Sequence, residues 1–215
     1  MLSNKIKYTR IYLWRHPEVQ GVSDGRFFGH TDVGLSRQGK SQAKAVVKCM
    51  SREKLGAVYA SDLGRARVVA EAVARKQSPR RKVQTLASLR ELNLGVWEGL
   101  NYKQIADRYP EELKARYADL ANFRIAGGES LTDLAERVVP AFTQIVADHV
   151  GETVCVVAHA GVNRVILAKL LGAPLDRIFR LEQEYACLNL IDVYSDGTPV
   201  IKRLNAPASA ATDED

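Results

Sequence analysis

Apolar positions along the chain alternate between two kinds of pattern. Short runs rich in β-branched and aromatic residues, Arg10–Trp14, Ala57–Ala60, Val83–Leu86 and Thr153–Ala158, predict strands, of which Arg10–Trp14 and Thr153–Ala158 read as buried. Between them the apolar residues recur at helical spacing. Ser36 is a predicted N-cap for a helix to about Met50, and Ser61-Asp62 for one to about Arg75. Asn101–Tyr109 and Glu111–Leu120 predict two polar-faced helices around Pro110. After a break at Gly127-Gly128, Ser130 is expected to cap a long helix, Leu131–Val150, with a kink or a division at Pro140. Val162–Leu171 predicts a helix, and Ala186–Val193 with Val200–Leu204 a closing hairpin around Ser195-Asp196-Gly197. Strands alternating with helices imply an α/β layered fold. Residues 1–205 read as a single domain and 206–215, small residues with an acidic tip, as a disordered tail.

Composition narrows the class without naming a function. The 215 residues are 46% hydrophobic and 26% charged, ordinary for a globular chain with a full core. No apolar run approaches the length of a membrane span, so no membrane partner is expected. No apolar leader or cleavage pattern precedes Thr9, so a cytoplasmic address is the expectation. The three scattered cysteines, Cys49, Cys155 and Cys187, form no zinc spacing and read as free thiols in a reducing compartment. Net charge is +6, which favours anionic partners without choosing among them. The densest basic run, Arg75-Lys76 to Arg80-Arg81-Lys82, contains no aromatics and reads as a solvated loop, so no nucleic acid is expected.

Two of the strands share a chemical feature. Arg10–Trp14 ends in Arg15-His16, and Thr153–Ala158 ends in His159. The carboxyl edge of an open α/β sheet is where ligands bind. A third strand runs into Ser61-Asp62-Leu63-Gly64-Arg65-Ala66, which places Arg65 in the first turn of its helix. A guanidinium fork beside free helix N–H groups favours a phosphate. Spacing alone leaves open whether these residues form one site.

Together with other motifs, they resemble a known family. Arg15-His16-Pro17-Glu18 resembles the Arg-His-Gly-Glu opening of the histidine phosphatase superfamily, the phosphoglycerate-mutase-like enzymes. Arg26-Phe27-Phe28-Gly29-His30-Thr31-Asp32 with Leu35-Ser36, the Arg65 segment, Leu89–Gly99, Gly127-Gly128-Glu129-Ser130 and His159-Ala160-Gly161 follow in the family's order, over nearly all of Thr9–Leu204. The pattern is most similar to the small phosphatase branch, such as the α-ribazole phosphatases. The resemblance implies a three-layer α/β/α sandwich with a mostly parallel central sheet and a small helical lid at about 101–128. It implies that His16 accepts a phosphoryl group, that Arg15, Arg65 and His159 surround the phosphoryl oxygens, and that Glu91 protonates the departing oxygen and then activates water. Such a phosphatase acts on small phosphomonoesters, for example α-ribazole phosphate, phosphoglycerate or sugar and nucleoside monophosphates, and needs neither metal nor cofactor. Glu18 is expected to play a supporting part, and His30 and His149 no catalytic one. A homodimer stays open.

The chain departs from the family pattern at identifiable points. Pro17 replaces the usual glycine, removing a backbone N–H but keeping the C=O that the resemblance assigns to the second ring nitrogen of His16. Val22 stands where an asparagine is common, and Ser23 is the candidate replacement contact to phosphate. The stretch Asn101–Gly128 is short and has only separated cations, Lys114, Arg116 and Arg124, which argues for a phosphatase over a mutase. A mutase, or a non-catalytic phosphate-binding protein of the same fold, are the alternatives.

Overall fold

A computed structural model describes residues 7–209. Strand β1 (Tyr8–Arg15) lies near the middle of a six-stranded sheet with β2 (Ala57–Ser61), β3 (Val83–Leu86), β4 (Thr153–Ala158), β5 (Leu188–Tyr194) and β6 (Pro199–Ala206). The order is β3-β2-β4-β1-β5-β6. The first four of these are mutually parallel, β5 runs antiparallel to β1, and β6 antiparallel to β5.

The four inner strands, β2, β4, β1 and β5, are buried on both faces because helices cover both, while the edge strands β3 and β6 are partly exposed. Helices α1 (Arg37–Met50) and α2 (Gly64–Lys76) lie on one side; α5 (Leu131–Asp148) and α6 (Ala160–Leu171) lie on the other. Side chains alternate between them with the pleat. Ile11, Leu13, Val154 and Val156 join the core under α5 and α6. Tyr12, Trp14, Cys155 and Val157 join the core under α1 and α2. Trp14 is fully buried and its indole N–H donates to Met50 Sδ at 3.2 Å, so replacing it with alanine costs about 3–5 kcal/mol.

The short helices α3 (Tyr102–Arg108) and α4 (Pro110–Ala118) follow β3 and pack on the side of α5 and α6. Asn101 and Gln104 form a capping box on α3, and Pro110 starts α4 where its missing N–H costs nothing. Tyr109, Leu113, Leu120 and Phe123 pack this segment against the core around Trp97, Ile105 and Ile125.

Some local expectations change. Helix α5 is continuous through Pro140 rather than divided. Both Pro140 and Glu136, whose carbonyl loses its partner, are on the exposed side of the helix, while Leu134, Val138, Phe142 and Ile145 keep the buried face intact. Order also extends past the boundary expected at 205: β6 runs to Ala206, and Ala208 packs on the α1/α2 core. The rest of the expected tail, 210–215, lies outside the described residues. No helix among the described residues is long and apolar enough to cross a membrane.

Topology fixes where a site forms. The chain leaving β1 goes through α1 to β2, on one side; the chain leaving β4 goes through α6 to β5, on the other. The adjacent ends of β1 and β4 therefore border a crevice that no connection covers.

Candidate active site

The crevice brings the two strand-end histidines together. Arg15 pairs with Ala158 across β1 and β4, and His16 N–H donates to Ala158 O at 2.9 Å. Their rings consequently meet edge-on with centroids 5.0 Å apart. Both are buried, His16 at 5% exposure and His159 at 0%.

The ring of His16 has a defined tautomer. Its Nδ1 lies 2.7 Å from Pro17 O, and a carbonyl can only accept, so Nδ1 carries the proton and Nε2 keeps its lone pair. Burial, followed by the charges of Arg15 and Arg65, holds the His16 pKa well below the usual histidine range. The proline departure thus leaves intact the one backbone group that orients this ring. His159 is likewise held neutral, first by burial and then by His16, Arg65 and Arg15. Neither of its ring nitrogens has a hydrogen-bond partner among the described residues.

Two guanidinium groups flank this pair. Arg15 donates from Nη1 to Gln183 O at 2.6 Å and stacks on the Tyr185 ring at 3.6 Å, while its buried Nε has no partner among the described residues. Tyr185 also lies 5.6 Å from the His16 ring. It occupies the segment before β5, next to Ala186, which adopts a left-handed φ of 57° and donates its N–H to His16 O. Sequence patterns did not single out Tyr185; a tyrosine outside a recognisable element carries no periodic signal.

Arg65 is 1% exposed and meets no carboxylate directly among the described residues. Its Nη1 donates to Thr31 O at 2.8 Å, and its Nη2 to Gly29 O at 2.6 Å and Phe28 O at 3.5 Å. Burial lowers its pKa, opposed by the more distant Glu91, Asp32 and Glu98. The helix that carries it is not capped by Ser61-Asp62 as expected. Leu63 occupies the cap position without a side-chain bond, and Asp32 reaches across to accept from Gly64 N at 3.0 and 2.9 Å. Ser61 is wholly buried below this point, and Asp62 instead forms a two-pronged pair with Arg90 at 2.7 and 2.6 Å.

Glu91, the next residue, turns its carboxylate to the start of α6. It accepts from Gly161 N at 3.1 and 3.2 Å and from Leu92 N at 2.9 Å. A Cβ on residue 161 would collide with Glu91 Oε1, so glycine is what permits this approach. Arg137 of α5 anchors the loop from below, donating to the carbonyls of Ser88, Arg90 and Glu91 and pairing with Glu129 at 2.8 Å. Neither Arg137 nor Glu129 had been given a role from sequence.

Other sequence candidates lie on separate elements. Ser23 is exposed on a single 3-10 turn, Val22–Asp24, and its hydroxyl donates to Asp24 Oδ1 at 3.4 Å. Glu18 accepts from Ser36 Oγ at 2.6 Å and so ties the first loop to the N-cap of α1. His149 caps α5, bridging Tyr59 at 3.0 Å and Glu152 at 2.7 Å.

Comparison with known proteins identifies the family. The family model described as histidine phosphatase superfamily (branch 1) matches residues 11–207. The chain belongs to the histidine phosphatase superfamily. Within that superfamily it is 37% identical over 164 residues to phosphoglycerate mutase-like protein 4 of Arabidopsis thaliana, covering 75% of this chain and 71% of the relative. It is 34% identical over 199 residues to a metal-independent phosphoserine phosphatase of the same plant, covering 87% and 82%. The fold superposes on an alpha-ribazole phosphatase from Shigella flexneri with a TM-score of 0.83 over 92% of this chain and 96% of that one, a likeness of fold at 24% identity. This histidine phosphatase is a phosphoric monoester hydrolase.

Proposed function

We propose that the protein hydrolyses small phosphomonoesters without a metal, through a phosphohistidine on His16. The observation that carries the reading is the His16 ring itself. It is buried beside two guanidinium groups and held by Pro17 O with Nε2 unprotonated. A neutral imidazole so oriented is a nucleophile at neutral pH, and its surroundings favour the anion it attacks.

In the first step the Nε2 lone pair forms an N–P bond as the P–O ester bond breaks, and Glu91 gives its proton to the departing oxygen. Arg15, Arg65 and His159 hold the three non-bridging oxygens throughout, supplying the charge stabilisation that phosphoryl transfer requires. In the second step water attacks phosphorus, its proton passes to the Glu91 carboxylate, and the N–P electron pair returns to Nε2. Inorganic phosphate leaves. Ser23 makes an outer phosphate contact from its turn, and the segment 101–128 acts as a lid over the alcohol portion of the ester. The phosphoserine phosphatase relative makes phosphoserine the first ester to assay. Three free, buried cysteines suit a reducing compartment, so we assign the protein to the cytoplasm.

Rapid quenching with ester carrying labelled phosphorus, in excess chelator, tests the proposal. Wild-type protein should release inorganic phosphate and carry acid-labile, base-stable label, and His16→Ala should do neither. Turnover by His16→Ala at the wild-type rate, or loss of activity on chelation, overturns the mechanism. An isomerised ester without released phosphate makes the protein a mutase.

A further inference from the structure

Arg65 is a buried cation whose acceptors among the described residues are neutral carbonyls, and a carboxylate lies on the far side of the peptide groups that hold it. Glu98, on the turn after the short helix Gly95–Trp97, accepts from Gly29 N at 3.1 Å, His30 N at 2.7 Å, Thr31 N at 3.3 Å and Leu94 N at 3.3 Å. The same loop supplies the three carbonyls that hold Arg65. Two peptide units serve both charges at once. The unit joining Phe28 to Gly29 gives its N–H to Glu98 and its C=O to Arg65, and so does the unit joining Gly29 to His30.

This arrangement has an electrostatic consequence. Each peptide dipole lies head to tail between a carboxylate and a guanidinium, and hydrogen bonds in such a chain polarise one another. The carboxylate therefore strengthens the carbonyls that fix Arg65. A direct pair would occupy the guanidinium fork two-pronged, as Asp62 does with Arg90. Relayed through the backbone, the countercharge leaves at least two of the five Arg65 donors for a ligand. Gly29 is part of the device: a Cβ there would collide with Leu92 O and lie 2.5 Å from Glu98 Oε1.

We infer that Glu98 is a positioning residue, which aims Arg65 at the phosphoryl group through the backbone of Phe28–His30. It touches no reacting atom. The inference rests on the proposed role of Arg65, and a double-mutant cycle separates the two.

The cycle uses Glu98→Gln, Arg65→Ala and the double variant, with phosphoserine or an aryl phosphate as the ester. Circular dichroism and thermal melts establish folding. Glu98→Gln should lower kcat/KM by about tenfold to a hundredfold, because small misplacements of a charge-stabilising group cost that much. It should also weaken inhibition by orthovanadate. In the Arg65→Ala background the same substitution should change kcat/KM less than about twofold, since the aimed group is gone. An equal loss in both backgrounds overturns the inference, because a general structural effect does not depend on Arg65. No loss in Arg65→Ala alone instead overturns the proposed role of Arg65. Should Glu98→Gln fail to fold, Glu98→Asp, which keeps the charge but not its reach, decides in the same cycle.

Discussion

Two fully buried neutral histidines make stability depend on pH in a way that can be worked out. In the unfolded chain His16 and His159 titrate near the ordinary histidine value of 6.5, whereas in the folded protein burial and the neighbouring guanidinium groups hold both well below it. Below pH 6.5 the unfolded state therefore binds protons that the folded state does not, so stability rises with pH and is lost on acidification until the folded values are reached. Between about pH 7 and about pH 5.5 each ring contributes a loss on the order of 1 kcal/mol, roughly 2 kcal/mol for the pair. Most carboxylates titrate below this window, so they contribute little to it. Urea unfolding followed by the fluorescence of Trp14 and Trp97, in phosphate-free buffer to avoid ligand linkage, measures the slope. The double variant His16→Gln/His159→Gln should lose roughly 2 kcal/mol less than wild type over the window, whatever its stability at neutral pH. Equal slopes for the two proteins, within about 0.5 kcal/mol, would refute the claim that both rings stay neutral in the fold.

Gly161→Ala should push the Glu91 carboxylate off the start of α6. The fall in kcat should be about tenfold to a hundredfold for an alkyl ester and much smaller for an aryl phosphate, whose leaving oxygen needs little help from an acid. Equal losses on both esters would show that Glu91 does not serve the leaving group. Ser23→Ala tests the outer phosphate contact: KM should rise by about twofold to fivefold with kcat unchanged, and an unchanged KM removes Ser23 from the site.

The part of the site that the sequence discloses is the part carried by side chains at strand ends. Arg15-His16 and His159 are visible because a buried run stops abruptly at each, and the α/β alternation tells which edge of the sheet they occupy. That the two rings touch is not visible. It depends on β1 lying next to β4, strands about 140 residues apart, and on the register that sets Arg15 opposite Ala158. The cap of α2 is lost to local reasoning for a related cause. Ser61-Asp62 has the right chemistry in the right place, but Ser61 is buried, Asp62 is taken by Arg90, and the vacated N–H goes to Asp32 from a distant loop.

The setting of Arg65 shows why second-layer residues are harder to read than the groups they serve. What holds this guanidinium is backbone, and a carbonyl looks the same whichever side chain follows it. Phe28, His30 and Thr31 therefore advertise nothing. The residues that betray the arrangement are Gly29, which has no room for a side chain, and Glu98, whose carboxylate gathers four N–H groups. The same logic governs Glu91, for which Gly161 and the Arg137–Glu129 pair are the visible residues around a largely backbone-made seat. In both cases a group that must stay available to a ligand is fixed by peptide groups, and for Arg65 the counterion is kept one layer back. A direct salt bridge would hold each group more firmly but would fill the donors or acceptors on which phosphoryl transfer depends.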